Sequence, residues 1–222
     1  MTPSPRNSSA LTRIELIVAI TICALLVAVA VPVYSQYALK NRLLQSLCGS
    51  RLLYIASFSM AADYGPTKDD RLGWPGDLYE RKTEPVTSVT PYLERLMEYE
   101  YLKKIDMAMT LRKAGGAQWQ PSERLDAARH CPFKIYCVKE SDGASVLFCA
   151  TRNFTYRPAL DPDARPHGNK GFTVFRKGGD GAVFTNMKTA SPTNLGTLGL
   201  LPGRVDFQTR TTETAEDFLV QR

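Results

Sequence analysis

The chain has 222 residues, enough for one ample domain or two small ones beyond its N-terminal segment. Charged residues at 23% and hydrophobic ones at 44% describe a folded protein and exclude a disordered tail as the main body. The formal net charge is +6, and 26 of the 28 basic and 21 of the 22 acidic residues follow Glu15 without a run of five like charges. That spread permits nucleic-acid binding but carries no footprint that indicates it.

The first segment is a polar leader of residues 1–10, rich in Pro and Ser, with Arg6 and no acid. Leu16 to Val33 then reads LIVAITICALLVAVAVPV, with Thr21 the one polar side chain. As a helix, these residues extend about 27 Å, just enough to cross a hydrocarbon core. Arg6 and the α-amine before the run favour a cytoplasmic N-terminus, and Lys40 and Arg42 beyond it weaken that bias without reversing it. Three readings compete for this segment. It can be a plain signal-anchor, with Glu15 and Arg13 marking the membrane rim. It can be a secretory signal cut after Ala28-Val29-Ala30, leaving Val31 first. The third gives Glu15 a partner, because a carboxylate deep in an apolar helix costs about 2.5–3.5 kcal/mol at its centre.

Glu15 is followed by Pro32 seventeen residues on, then Tyr34 and Tyr37, and is preceded by the small residue Ala10 five positions earlier. This Glu–Pro–Tyr–Tyr register resembles the class III signal of type IV pilins and type II secretion pseudopilins. The likeness covers about 30 residues. It implies cleavage between Ala10 and Leu11 by a membrane-embedded prepilin peptidase and N-methylation of Leu11. It also implies pairing of Glu15 with the α-amine of a neighbouring subunit, and a bend or local loosening of the helix at Pro32. The resemblance is imperfect at Ala10, where the family usually has Gly, at Leu11, where it usually has Phe, and at Arg13, where it has an apolar residue.

Past Tyr34 the pattern continues as a helix, with Tyr37, Leu44, Leu47 and Leu52 on an apolar stripe and Gly65-Pro66 as its stop. From Leu11 to about Ala62 that helix measures roughly 78 Å, too long for one small domain to bury. Residues 65–89 read as a connector with Trp74 as a loop anchor, followed by a helix capped at Thr90-Pro91. That helix, PYLERLMEYEYLKK, turns Leu93, Leu96 and Met97 inward, and Gly115-Gly116 closes the segment after it. Trp119 and Pro121 mark a second connector. From Pro132 the period becomes two: strands near 133–139 and 145–151 flank Ser141-Asp142-Gly143, and FTVFRK and AVFTN flank Gly178-Gly179-Asp180-Gly181, giving two hairpins. The tail from Thr189 shows no clear pattern. The expected class is α+β, pilin-like, with a long N-terminal helix packed on a small antiparallel sheet. Its expected parts are a cleaved leader of 1–10, a transmembrane and assembly half of 11–33, and an extracytoplasmic head of 34–222.

Among the cysteines, Cys23 lies in the apolar run as a small hydrophobe, whereas Cys48, Cys131, Cys137 and Cys149 lie in the head. None forms a CxxC pair or a zinc spacing, and in an exported head one or two disulfides are the natural reading, with three pairings open. Cys137 and Cys149 are expected opposite or nearly so across the first hairpin, with Cys131 as an alternative partner for either. Asp180 looks somewhat like the aspartate of the late calcium loop of major pseudopilins. A turn aspartate is the stronger reading, because calcium asks for six to eight oxygens, and no other cofactor is expected. Asp161, Asp163 and His167 sit in a Pro-rich polar loop. With two histidines and no nucleophile motif, no catalytic residue is expected.

The resemblance thus implies a structural subunit of a pilus or pseudopilus, anchored in the cytoplasmic membrane with its head outside. Its partners would be other copies of itself, the prepilin peptidase and the assembly machinery. The alternatives are a minor pilin whose head binds DNA, a surface or an export substrate, and an anchored or secreted domain that never polymerises.

Overall fold

The computed structural model describes residues 13–81, 85–154 and 160–185. They divide into two units, one up to Leu39 and one from Lys40 onward. One α-helix, α1 (Arg13–Thr67), supplies the described part of the first and opens the second. The head adds four shorter helices: α2 (Pro75–Glu80), α3 (Val89–Glu98), α4 (Lys104–Lys113) and α5 (Ala127–His130). Its sheet comprises β1 (Phe133–Ile135), β2 (Leu147–Thr151), β3 (Phe172–Arg176) and β4 (Gly181–Phe184). The strands form an antiparallel meander in sequence order.

In the head, α1 packs on this sheet along a seam that hydropathy does not reveal. Its buried residues include Leu43, Ser46, Ser50, Leu53, Ser57 and Met60, alternating three and four residues apart, with Gly49 and Ala56 beside them. The expected stripe is corrected: Tyr37 and Leu44 are exposed, and Leu47 and Leu52 are only half-buried. Three serines suit the seam because each hydroxyl is satisfied locally. Ser46 donates to Arg42 O (3.2 Å), Ser50 to Ser46 O (3.1 Å) and Ser57 to Leu53 O (2.8 Å). Small side chains let the helix approach closely: a Cβ added at Gly49 would meet Phe133 Cζ and Thr110 Cγ2 at 3.0 Å. Tyr54 completes the contact, its ring 5.2 Å from Phe175 and 5.8 Å from Phe148.

Two helix ends differ from expectation for the same reason. Gly65-Pro66 does not stop α1, which runs to Thr67; Lys68 ends it in the left-handed region (φ +54°), its N–H reaching Tyr64 O at 2.9 Å. The single helix expected from Pro91 to Lys104 is broken into α3 and α4 by Glu100 (φ +60°), just past the Tyr99 C-cap. Glycine is the usual residue at such stops, so lysine and glutamate there give no sequence signal. Ser88, not Thr90, precedes α3, and Thr90 Oγ1 instead accepts from Ala127 N at 3.1 Å. Leu93, Leu96 and Met97 are buried as expected. Gly115 takes φ +87° just after α4.

The connector after α1 holds a helix that the proline count concealed. Pro75 occupies the first turn of α2, where its missing N–H costs nothing. Gly76 N donates to Val138 O at 2.7 Å, and a Cβ at Gly76 would lie 2.5 Å from Cys137 O, so only glycine allows this approach. Trp74 is buried, donating to Glu140 Oε2 at 2.5 Å, and acts as the expected loop anchor.

The sheet is covered on both faces. One joins the main core with α1, α3 and α4, including Phe133, Ile135 and Cys149. The other carries a smaller cluster of Leu147, Ala150, Phe154, Leu160, Phe172, Val174 and Phe184. Phe172 stacks between Phe154 and Phe184, each 4.9 Å away. Asn153 Nδ2 ties down the chain on that side through Gly168 O (2.6 Å) and Gly171 O (2.7 Å). The first hairpin's strands are shorter than expected, 133–135 and 147–151, with a bulge between Leu147 and Cys149. The second matches the expected strands. The patternless tail from Thr189 lies outside the described residues.

Candidate functional site

Every residue from Arg13 to Tyr37 is exposed within the chain. Large apolar side chains face outward all round the helix, from Ile14 (74% exposed) through Leu25 (64%) to Val33 (49%). Its best eighteen-residue window has a mean hydropathy of 3.0 and no burial. At about 25 cal/mol per Å² of apolar surface, leaving such a segment in water is strongly unfavourable, so it needs lipid or other helices around it. By length and composition it is long and apolar enough to cross a membrane.

Local chemistry makes the segment compatible with a dry environment. Thr21 Oγ1 donates to Ile17 O at 2.8 Å, satisfying its one polar side chain inside the helix. Glu15 stands in the first turn, where the helix dipole favours a carboxylate. Pro32 lies inside continuous helix; lacking an N–H, it leaves the carbonyl four residues earlier without its helical donor. Ser35 Oγ donates to Pro32 O at 2.8 Å in the following turn. Tyr34 (76%) and Tyr37 (65%) are exposed. Glu15, Pro32, Tyr34 and Tyr37 therefore share the part of α1 that the chain itself leaves uncovered. The expected junction of Ala10 and Leu11 lies outside the described residues.

The cysteine expectations are revised. No disulfide joins the described cysteines. Cys48 is exposed on α1, whereas Cys131, Cys137 and Cys149 are buried. The ladder pairs Cys149 with Ile135, so Cys137 is not opposite Cys149 but two residues further along. Burial raises the Cys149 thiol to about 12, and a Ser50 hydrogen bond offsets part of that rise. At neutral pH it is an inert core thiol.

Asp180 closes the second hairpin as a turn residue. Its Oδ2 pairs with Arg176 Nη2 at 2.7 Å, and its carbonyl accepts from Arg176 N at 2.8 Å. Its neighbours Gly179 and Gly181 offer no side-chain oxygen, and among the described residues no three His, Cys, Asp or Glu side chains group as metal ligands. The residues at Asp180 do not fit calcium.

The Pro-rich loop holds a residue that sequence spacing misjudged. Asp161 Oδ1 accepts from Asp163 N at 3.0 Å in an ordinary polar turn. His167 leaves them and is buried, its Nε2 2.9 Å from Ser46 Oγ on the α1 seam. Burial first, and the Arg42 cation second, hold its pKa down to about 4, so it is neutral at physiological pH. Beside it opens a cleft of about 340 Å³, lined by Arg42, Gln45, Arg112, Lys113, Pro166 and His167. Arg42 stands 70 positions before the adjacent Arg112 and Lys113 and forms no pattern with them, so the cleft was invisible before the fold brought them together.

No protein-family model, curated protein or solved structure matches this chain.

Proposed function

We propose that the chain is a structural subunit of a type IV pilus or a type II secretion pseudopilus, polymerised through the first half of α1. One observation carries the reading: the Glu15–Pro32–Tyr34–Tyr37 register lies on the first half of α1, whose apolar window has no residue buried within its own chain. Attached in sequence is a folded head with an antiparallel sheet, the layout that such subunits need. In this reading a prepilin peptidase cuts between Ala10 and Leu11 and methylates the new α-amine. The head is outside the cytoplasmic membrane and the N-terminus inside.

The chemistry follows from cost. An apolar helix can wait in lipid and later exchange lipid for neighbouring helices with little change in hydrophobic free energy. A charged Glu15 opposes neither state strongly while it lies near the interface, but in a helical bundle it needs an opposite charge. The α-amine of Leu11 in an adjacent subunit supplies that charge, so the pair sets the axial register between copies. Pro32 leaves a carbonyl without its helical donor, giving the helix a local weak point where packing can change its path. Arg13, two residues from Glu15, does not face it on the helix and can extend to lipid headgroups.

Glu15→Ala tests the reading. The variant is expected in the membrane fraction at normal abundance yet missing from sheared filaments, which immunoblotting of the two fractions measures. Normal incorporation of the variant removes the role assigned to the carboxylate.

A further inference from the structure

The basic cleft of the head lies between α1 and α4 and is closed by the loop carrying Pro166 and His167. Arg42 comes from α1, and Arg112 and Lys113 from the last turn of α4. All three are exposed, and among the described residues none of them forms an ion pair. Among the described residues, no carboxylate lines the cleft. Some basic side chains elsewhere in the head are matched, among them Arg71 with Asp69, Lys139 with Glu80 and Arg176 with Asp180.

Cations in a last helical turn offset the helix dipole, which accounts for Arg112 and Lys113. It does not account for Arg42, which belongs to a different helix and faces the same space. The three charges repel one another unless an anion sits among them. Two guanidinium forks, one ammonium and the Gln45 amide form a donor set suited to phosphate oxygens, which accept bidentate guanidinium hydrogen bonds. The cleft volume suits a phosphate with part of an ester substituent.

We propose that this cleft binds the phosphate of an anionic phospholipid headgroup. The phosphate site stands on the cleft alone. The lipid source rests on the reading above, in which Leu16 to Val33 spans the membrane. Arg42 then follows the last residue of the span by nine positions, about 14 Å of helix, and its long side chain can extend back to a headgroup layer that reaches about 5–8 Å past the hydrocarbon. A head held to its own leaflet through this cleft stays beside the membrane until subunit addition lifts it away.

The test uses the full-length chain in neutral detergent micelles, titrated by calorimetry with inorganic phosphate, a short-chain phosphatidylglycerol and the matching phosphatidylcholine. Saturable binding of phosphatidylglycerol and, more weakly, of phosphate is expected, with phosphatidylcholine much weaker than either. Arg42→Gln should weaken phosphatidylglycerol binding by about tenfold, the worth of one charge-assisted contact. Arg112→Gln with Lys113→Gln should weaken it further. Lys103→Gln with Lys104→Gln removes the same charge at the other end of α4 and should leave binding unchanged. Thermal unfolding midpoints should not move, because all the side chains replaced are exposed. Binding of phosphate without phosphatidylglycerol overturns the lipid source and leaves a soluble phosphate ligand. Failure of both anions to saturate, or equal loss in the Lys103/Lys104 variant, overturns the site itself. Neither result touches the filament reading, which the Glu15 variant tests separately.

Discussion

The two halves of α1 invert the usual relation between hydropathy and burial. The first half, almost wholly apolar, buries nothing within the chain. The second, with three serines and a glycine on its inner face, buries eight residues. On the inner face of this half, close approach and hydroxyls that bond their own helix let serine and glycine share burial with Leu43, Leu53 and Met60. Exposure in the first half is decided by what is missing, a partner surface from the same chain. High hydropathy therefore reports that a segment needs an apolar medium, and it leaves open whether the medium is the chain's own core, lipid or another copy.

The sharpest way to break this comparison is one truncation in each half. Leu53→Ala, at a fully buried position, should destabilise the head by about 2–5 kcal/mol. Leu25→Ala should leave head unfolding within about 0.5 kcal/mol, because that side chain touches no core. Chemical denaturation of the full chain in detergent, followed by Trp fluorescence, reads both. A comparable loss in the two variants would mean that the first half belongs to the head's cooperative unit.

A somewhat smaller effect comes from the Ser46–His167 contact. The folded state holds His167 neutral, with its pKa lowered to about 4 from 6.5, so the unfolded chain takes up this proton first. Its stability contribution is complete above about pH 6.5 and is lost as the pH falls towards 4, by about 3 kcal/mol at most. His167→Gln should flatten that part of the stability profile. An unchanged slope would show that the imidazole is not held neutral against the seam.

The smallest of the three concerns the serine seam itself. Ser50→Leu raises hydropathy at a fully buried position but overfills a tight contact, and should cost about 1–3 kcal/mol. A stabilised variant would show that hydropathy governs the second half after all.

Much of the architecture was legible in the chain. The long apolar run, the two hairpins and the inward Leu93, Leu96 and Met97 follow from period and turn chemistry. The seam of α1 was not, because Ser46, Ser50 and Ser57 read as polar until their hydroxyls are seen bonded to the preceding turn. Lys68 and Glu100 hid two helix ends by taking a conformation that sequence reading reserves for glycine. The spacing of Glu15, Pro32, Tyr34 and Tyr37 was readable, since one helix carries them all. The basic cleft was not, since Arg42, Arg112 and His167 meet only through tertiary packing.

The central claim, that the first half of α1 is an assembly handle and not a discarded signal, is tested most directly at the mature N-terminus. Intact mass with N-terminal sequencing of the membrane-bound protein should find a chain starting at N-methyl-Leu11. A chain starting at Val31, or one still beginning at Met1, would contradict it.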